Sequence, residues 1–344
     1  MYHLGYSEFY ITNVCNLNCT NCNRFNNFNF KGHWRWQDHE QEYKEWAKLI
    51  SIDEIGILGG EPLLNPDFSN WLNGVANLWP DSRIRIITNG TRILNVKNLY
   101  QMLLPLKGRV TLEVNCHNLE QKSKLESDIC ELLSDIRSID HINLDRDYDF
   151  WKSSYNNIKD DSWPECNSPA DFSNLSEEIQ QECENLHNIS PGIHKRKFEK
   201  LVILDDNNIK AELLPADSFL NSTLIFDQQK QTLSLHKNDP AKSMEVCCFK
   251  VCHHFIDGKL YKCGPVALLP EFVKQFVVER DQEQDRLIHS YQPASLDWSK
   301  DDLDEFIDNL KNATPIPQCS LCPSKMNNVD FSASSKKIKI KQLD

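Results

Sequence analysis

The sequence contains no long hydrophobic run and no recognisable export signal. No stretch of its 344 residues approaches the ~20 consecutive apolar residues that span a bilayer. The opening residues MYHLGYSEFY lack the cationic start and apolar core of a secretory signal. The sequence therefore predicts a cytoplasmic protein without a membrane partner. A wholly disordered chain is excluded, because 8 Trp, 16 Phe and 9 Tyr supply ample core material.

Basic residues are too few to balance the acidic ones. The chain has 38 Lys and Arg against 50 Asp and Glu, which gives a formal net charge of −12. An acidic protein of this kind is poorly suited to non-specific nucleic-acid binding. The one basic block, 336–341, lies at the C-terminus and predicts a solvated, flexible tail over 331–344.

Cysteine is abundant, with 13 in the chain. Without an export signal these thiols are expected to stay reduced, and closely spaced reduced thiols are natural metal ligands. The first group, Cys15, Cys19 and Cys22, has the spacing C-x3-C-x2-C. Three thiolates on one loop can hold three corners of a cubane iron–sulfur cluster and leave one iron open to a ligand. Zinc prefers paired C-x2-C ligands with a fourth donor, so it suits this triplet less well.

Short strands and amphipathic helices alternate through the first half of the chain. Strands are predicted at 8–12, 54–58, 83–87 and 110–114, with helices between them over 37–51, 68–79 and 96–104. This order predicts an α/β fold with a parallel sheet and right-handed crossovers, open or closed as a barrel. Chemistry in parallel barrels lies at the carboxyl ends of the strands. The Cys loop follows the first predicted strand, and the turn Gly59, Gly60, Glu61 and Pro62 follows the second.

The Cys loop and the Gly-Gly-Glu-Pro turn together resemble the radical S-adenosylmethionine (radical SAM) superfamily over about residues 6–145. The resemblance implies a partial (β/α)6-type barrel in which the three cysteines bind a [4Fe–4S] cluster and SAM chelates the open iron. It implies that the reduced cluster cleaves SAM to methionine and a 5′-deoxyadenosyl radical, which abstracts hydrogen from a substrate. Residues 59–62 would hold the methionine amino group. Asn21 stands where this family usually has an aromatic residue near the adenine.

The fourth predicted strand alternates between apolar and polar residues over 110–115. A strand that lines a polar cavity in a partial barrel has this pattern, and so does a strand with one solvated face. In the first case, polar residues near the strand ends lie close to SAM or substrate. The candidates are Asn89, Glu113 and Asn115 on the cofactor side, and His117, Asn143 and Asp145 on the substrate side. Cys116 falls on the apolar face and is predicted to be a core thiol.

The alternation of strands and helices breaks after residue 145. Residues 146–200 are rich in Trp, Asn, Asp and Pro, and they are predicted to form an insert in a barrel that spans 1–240. A long insert near the open side of a barrel is a candidate substrate lid. Cys166 and Cys183 within it are predicted to be isolated thiols, and 201–204 resumes as a buried strand.

A second group of cysteines lies near the C-terminus. Its candidate ligands are Cys248, Cys263, Cys319 and Cys322, with Cys247 or Cys252 as alternatives to Cys248. A hairpin is predicted at Asp257-Gly258 and a helix at 301–310. The spacing C-x9-G-x4-C followed by C-x2-C resembles the Twitch domain, the shortened form of the SPASM domain. This resemblance implies an auxiliary [4Fe–4S] cluster in a small hairpin-helix domain over 241–330, although two Cys pairs are also a zinc-ribbon pattern.

These features predict a radical SAM enzyme that abstracts hydrogen from its substrate. An auxiliary cluster can accept the electron left behind, which favours an oxidation or a cross-link. The alternatives are an isomerase or epimerase of a peptide, sugar or nucleotide, and a non-catalytic zinc or iron–sulfur interaction module. The first predicted strand begins within ten residues of Met1, so no N-terminal leader-recognition domain is expected. A small molecule, sugar, nucleotide or short peptide all fit as substrate, with a flavodoxin or ferredoxin as electron donor.

Overall fold

The computed structural model of the protein describes residues 1–19, 21–144, 198–215, 218–220, 222–247, 249–325, 328–330, 333–334 and 340–342. Its helices are α1 (Trp36–Leu49), α2 (Phe68–Leu78), α3 (Leu99–Leu103), α4 (Lys122–Leu133), α5 (Pro240–Glu245), α6 (Gly264–Gln275), α7 (Gln282–Ser290) and α8 (Lys300–Lys311). Its strands are β1 (Tyr2–Tyr10), β2 (Asn18–Cys19), β3 (Ile50–Leu58), β4 (Arg83–Thr88), β5 (Val110–Cys116), β6 (Ile136–Leu144), β7 (Phe198–Asp205), β8 (Lys210–Pro215), β9 (Ser218–Leu220), β10 (Leu224–Asp227), β11 (Thr232–Leu235), β12 (His253–Ile256), β13 (Lys259–Tyr261), β14 (Val278–Glu279), β15 (Asn328–Asp330) and β16 (Ala333–Ser334). Asp145, Cys166, Cys183, Cys248 and nearly all of the predicted insert lie outside the described residues.

Nine strands form the central sheet in the order β13-β12-β1-β3-β4-β5-β8-β7-β6. The pairs β12-β1, β1-β3, β3-β4, β4-β5 and β5-β8 are parallel, whereas the other three pairs are antiparallel. The predicted α/β class with a largely parallel sheet is therefore confirmed, and the sheet is consistent with a partial barrel. Among the described helices, none is long and apolar enough to cross a membrane.

Aromatic side chains pack the helices onto one face of this sheet. Phe9 of β1 stacks on Phe255 of β12 with ring centroids 4.9 Å apart, and the Tyr43 ring of α1 lies 5.3 Å from Phe9. All three are fully buried. Gly74 lies inside α2, where glycine normally costs about 1 kcal/mol relative to alanine. A Cβ at that position would lie only 2.1 Å from the Trp36 ring, so glycine is required for α1 and α2 to pack this closely.

The opposite face of the sheet is polar and charged although it is largely buried. Arg85 of β4 donates to Glu54 at 2.9 Å, to Glu113 at 2.9 Å and to Glu212 at 3.1 Å. Lys200 of β7 lies 3.2 Å from the same Glu212 carboxylate. Buried charges persist only when they are paired, and these strands pair theirs across the sheet. The predicted alternation of 110–115 is confirmed, because its apolar residues face the helices and Glu113 faces this polar side.

Strand β6, which includes His141, lies at the sheet edge, and β7 and β8 come between it and β5. Two helices differ in extent from the sequence prediction. The predicted helix over 96–104 is reduced to five residues of α3. The helix predicted over 37–51 ends earlier, since β3 already begins at Ile50.

The predicted hairpin at Asp257-Gly258 is confirmed and extends the central sheet. Both turn residues have positive φ, 53° and 71°, as a two-residue type I′ turn requires. Strand β12 pairs in parallel with β1, so this part of the predicted 241–330 domain is continuous with the barrel sheet. Helix α8 confirms the helix predicted at 301–310.

Part of the segment predicted as a flexible tail contacts the body of the protein. Strand β16 pairs with β2, which contains Cys19, and Gln342 forms a bridge with Phe276. The basic residues 336–339 lie outside the described residues.

Candidate functional site

Cys15, Cys19 and Cys22 lie on the loop that follows β1, and all three thiols line one cavity of about 180 Å³. The loop is held by hydrogen bonds between its side chains and its own backbone. Asn26 donates to the Asn13 carbonyl at 2.6 Å, and the Val14 N–H donates to the Thr12 hydroxyl at 3.0 Å. The Leu17 N–H points at the Cys15 sulfur at 3.4 Å, an arrangement that favours a thiolate.

Asn21, which departs from the family pattern, adopts a left-handed backbone conformation with φ 55°. Asparagine tolerates this region better than bulky side chains do. The conformation required just before Cys22 therefore explains an asparagine at this position in physical terms.

Gly59 and Gly60 form the turn at the end of β3 and line the same cavity. The Gly60 N–H donates to the Thr12 carbonyl at 2.7 Å, and the next N–H donates to the Val14 carbonyl at 2.8 Å. A Cβ on Gly59 would lie 2.5 Å from the Thr12 carbonyl oxygen, and one on Gly60 would lie 2.4 Å from that of Val14. Two glycines are thus needed because the Cys loop packs directly against this turn.

Glu61 lies behind the cavity rather than in its wall. Its side chain is fully buried and accepts hydrogen bonds from the Thr88 hydroxyl at 2.6 Å, the Asn89 N–H at 2.7 Å and the Leu63 N–H at 3.1 Å. Burial raises the pKa of this carboxyl to about 7, although the three donors act in the opposite direction. Pro62 begins a short 3-10 helix and is also buried behind the wall.

Asn89 connects Glu61 to the Cys loop. Its side-chain amide donates to the Asn16 Oδ1 at 2.9 Å and approaches the Cys15 sulfur at 3.8 Å. The Asn16 amide in turn donates to the Thr91 hydroxyl at 2.7 Å. The Glu61 carboxylate therefore fixes the backbone of Asn89, and the side chain of Asn89 approaches the Cys15 sulfur.

The predicted polar residues of β5 divide into two groups. Asn115 and His117 line the cavity. Glu113 is not among the lining residues, because its carboxylate accepts from Arg85 on one oxygen and from the Asn115 amide, at 2.9 Å, on the other. Asn143 belongs to edge strand β6, three places from β5, and its side chain lies outside the described part of the structure.

The cavity wall also contains residues that were not predicted from the sequence. They are Asn23, Arg24, Asn26 and Asn27, just after Cys22, and Thr88 of β4. The concentration of asparagines after Cys22 was the only signal for them in the sequence. The asparagines add amide groups to a wall that also contains the apolar side chains of Leu17, Leu58 and Ile87.

Arg24 links this wall to the segment that precedes β12. Its guanidinium donates to Glu8 at 2.7 Å and lies 5.1 Å from the centre of the Phe249 ring. His254 lies 2.6 Å from the same Glu8 oxygen. Burial alone would raise the pKa of Glu8, but the charges of Arg24 and then His254 lower it to about 2. Cys252 interacts electrostatically with Arg24.

Four cysteines of the second group come together elsewhere in the structure. Cys263 interacts electrostatically with Cys247, Cys322 and Cys319. Burial raises the pKa of Cys247 to about 11 and that of Cys263 well above its usual value. Cys319 and Cys322 lie on one tight turn, where the Cys322 N–H donates to the Cys319 carbonyl at 3.1 Å.

Across the described residues, no three His, Cys, Asp or Glu side chains are arranged to hold a single metal ion. A cubane cluster does not require its thiolates to converge on one atom, because each thiolate binds a separate iron.

Residues 9–140 match the model of the radical SAM superfamily. No protein of curated function matches the sequence significantly.

Similar solved structures include Streptococcus suis SuiB bound to the precursor peptide SuiA, with 20% identity over 39% of this chain and 30% of that chain, and a TM-score of 0.30. SuiB bound to S-adenosylmethionine has 23% identity over 38% of this chain and 29% of that chain, with a TM-score of 0.29. BtrN in complex with AdoMet and 2-DOIA has 19% identity over 32% of this chain and 45% of that chain, with a TM-score of 0.25. The chain spans less than half the length of each of these proteins.

Proposed function

We propose that the protein is a radical SAM enzyme in which Cys15, Cys19 and Cys22 bind a [4Fe–4S] cluster and the adjoining cavity binds SAM. The observation that carries the proposal is the position of these three thiols and of the Gly59-Gly60 turn around one cavity. The cavity lies at the carboxyl ends of β1, β3, β4 and β5, which is where parallel α/β barrels carry their chemistry.

The residues present fit this cofactor set. Three thiols on one loop provide three ligands of a cubane and leave one iron for an exogenous ligand. When bound, the cluster and SAM supply one-electron cleavage of SAM and a carbon radical that abstracts hydrogen. The cofactor carries this chemistry, while the protein supplies binding and orientation.

Gly59 and Gly60 provide the backbone surface for the methionine end of SAM. Without side chains they leave their peptide groups open to the cavity, and carbonyl oxygens are suitable acceptors for an ammonium group. Glu61 acts as a positioning residue in this proposal, because all of its described hydrogen bonds go to Thr88, Asn89 and Leu63. It holds Asn89 against the Cys loop through the hydrogen bond that it accepts from the Asn89 N–H.

The amide-rich wall is proposed to bind the sugar of SAM and the substrate. Asn115 and His117 extend the wall along the end of β5. Glu113 orients Asn115 through its 2.9 Å hydrogen bond. Arg24 contributes little free positive charge, because Glu8 neutralises it at 2.7 Å. A substrate with hydrogen-bonding groups beside its reactive C–H bond therefore suits this wall.

Cys263, Cys319 and Cys322, with one upstream cysteine, are proposed to bind an auxiliary [4Fe–4S] cluster. Cys247 is supported as the upstream ligand among the described candidates, since it interacts electrostatically with Cys319 and Cys263. Cys252 interacts electrostatically with Arg24 and Tyr6, and it is not among the described groups whose charges most affect the pKa of Cys247, Cys263 or Cys319. Four thiolates complete a cubane and leave no open iron, which suits electron acceptance and favours an oxidation or a cross-link.

Formation of 5′-deoxyadenosine tests the first part of the proposal. Anaerobically reconstituted protein with dithionite and SAM is expected to form it, and the Cys15/Cys19/Cys22 triple alanine variant is expected to form none. The matched control is Cys130→Ala, which removes a half-buried thiol on α4 that is not among the cavity residues. An undiminished rate in the triple variant would refute the ligand assignment.

Iron analysis tests the auxiliary cluster. The reconstituted wild type is expected to hold about eight irons per chain, and the triple variant about four. Wild-type protein that saturates near four irons and retains zinc would instead identify the C-terminal site as a zinc ribbon. The single variants Cys247→Ala and Cys252→Ala separate the two described candidates for the upstream ligand, because only loss of the true ligand should lower the iron content.

A further inference from the structure

Lys262 is a buried lysine beside the second cysteine group. It lies between β13 and α6, directly before Cys263, and is only 4% exposed. Its backbone is fixed on both sides, since its N–H donates to the Tyr291 hydroxyl at 3.0 Å and its carbonyl lies 2.9 Å from the His253 Nδ1. Among the described residues, the Lys262 ammonium nitrogen has no hydrogen-bond partner.

This arrangement is costly unless an anion lies nearby. Lysine is almost never fully buried without a partner, and an isolated ammonium group in a dry interior carries a large desolvation penalty. Cys247 and Cys319 both interact electrostatically with Lys262. Neutral thiols do not repay the penalty, whereas thiolates bound to a cluster do, because a cubane with four thiolates carries net negative charge.

The other basic groups near the site do not themselves require an anion. His253 is held uncharged, because burial lowers its pKa to about 4. Lys250 also interacts electrostatically with Cys247, but its ammonium group donates to the Glu245 carbonyl at 3.0 Å. Lys262 is therefore the cation at this site whose charge has no partner within the described protein.

We propose that Lys262 is the electrostatic partner of the auxiliary cluster and raises its reduction potential. This inference rests on the auxiliary cluster of the proposed function. One-electron reduction makes the cluster more negative, and a fixed cation in a low-dielectric site stabilises that extra charge. Lys262 thereby makes the cluster a better acceptor for the electron that remains after hydrogen abstraction.

Redox titration followed by electron paramagnetic resonance tests the proposal without measuring turnover. The protein used is the reconstituted Cys15/Cys19/Cys22 triple alanine variant, so that only the auxiliary cluster contributes to the signal. Lys262→Met in this background is expected to lower the reduced-to-oxidised ratio at least tenfold at a fixed solution potential, which equals a shift of about 59 mV towards more negative values. The matched control is Lys259→Met, an exposed lysine of the same hairpin, and it is expected to leave the midpoint unchanged.

Two further variants cover the case in which Lys262→Met loses its cluster. Lys262→Arg keeps the charge and Lys262→Gln removes it while retaining polarity. Retention of iron in the Arg variant with loss in both neutral variants supports a requirement for charge. An unchanged midpoint in an iron-loaded neutral variant, or loss of iron in all three, overturns the proposal. If the auxiliary cluster itself is absent, the triple alanine variant holds little iron even before Lys262 is changed. That result would contradict the proposed function and is distinct from a failure of the Lys262 proposal.

Discussion

Replacement of Glu61 by alanine is expected to weaken SAM binding while leaving the iron content unchanged. The fully buried Glu61 carboxylate receives three donors, of which the Asn89 N–H at 2.7 Å and the Leu63 N–H at 3.1 Å are fixed in the backbone. The Thr88 hydroxyl can rotate towards another acceptor. A buried donor without a partner costs about 1–3 kcal/mol, so two such donors cost about 2–6 kcal/mol.

This cost is expected to appear in SAM affinity because the affected strand end forms part of the cavity. Asn89 contacts Asn16 and the Cys15 sulfur, and a shift of its backbone changes the wall against which SAM binds. We expect at least a tenfold loss of affinity, which corresponds to about 1.4 kcal/mol. Glu61→Gln should lose less, because it keeps one oxygen acceptor at the site.

Calorimetric titration of SAM into reconstituted protein under argon measures these changes. Iron analysis of each variant shows whether the cluster is present. Glu40→Ala, at a half-exposed position of α1 that is not among the cavity residues, serves as a control that should match the wild type. Unchanged SAM affinity in Glu61→Ala would exclude the Gly-Gly-Glu-Pro turn from the site and would favour the non-catalytic alternative.

Four further predictions concern the same cavity and its supports. His117→Ala is expected to reduce substrate turnover more than 5′-deoxyadenosine formation, because His117 lies farther along the end of β5; parallel assays of both products compare them. Gly60→Ala is expected to lower iron loading after reconstitution, because its Cβ would lie 2.4 Å from the Val14 carbonyl oxygen. Arg85→Met is expected to destabilise the fold by about 3–5 kcal/mol in thermal or urea unfolding, since it leaves three buried carboxylates without their shared cation. The folded pKa of Glu61 is raised from 4.5 to about 7, so its stabilising contribution is complete below pH 4.5 and decreases as pH rises through 7; the difference in melting temperature between wild type and Glu61→Gln should therefore shrink between pH 5 and 8.

The sequence was sufficient to predict which loop ends carry the site. The spacing of Cys15, Cys19 and Cys22 and the glycine turn each lie directly after a strand, and parallel strands bring their carboxyl ends to one edge of the sheet. Alternation along β5 correctly predicted the faces of Asn115 and Glu113. Local patterns of this kind determine the face of a residue and the edge of the sheet at which it lies.

The partners of the polar residues could not be predicted in the same way. Glu113 turns to Arg85, which lies 28 positions earlier in the chain, because a buried carboxylate requires a cation. Glu61 accepts hydrogen bonds from Thr88 and Asn89 and does not point into the cavity. Such choices depend on which groups the fold brings together, and no spacing rule encodes them.

Strand neighbours were equally hard to predict. The alternation around His141 predicts a strand, but it contains no information about the strand beside it. The structure pairs β6 with β7 and places β8 next to β5. The Asp257-Gly258 turn predicts the β12-β13 hairpin, whereas the parallel pairing of β12 with β1 joins residues about 246 positions apart, as in Ser7 and His253.

The position of β12 connects the two cysteine groups through one buried carboxylate. The Glu8 carboxylate of β1 accepts a hydrogen bond from Arg24, which follows the first cysteine group. It also lies 2.6 Å from His254, which follows Cys252. Its pKa of about 2 keeps the carboxylate ionised at every pH at which such an enzyme works. Because the same charge holds both segments, displacement of either one leaves a buried ion without part of its compensation, at a cost of several kcal/mol. The fold therefore resists independent movement of the cavity at the first cysteine group and of the segment leading to the second group, as the proposed electron transfer between two clusters requires.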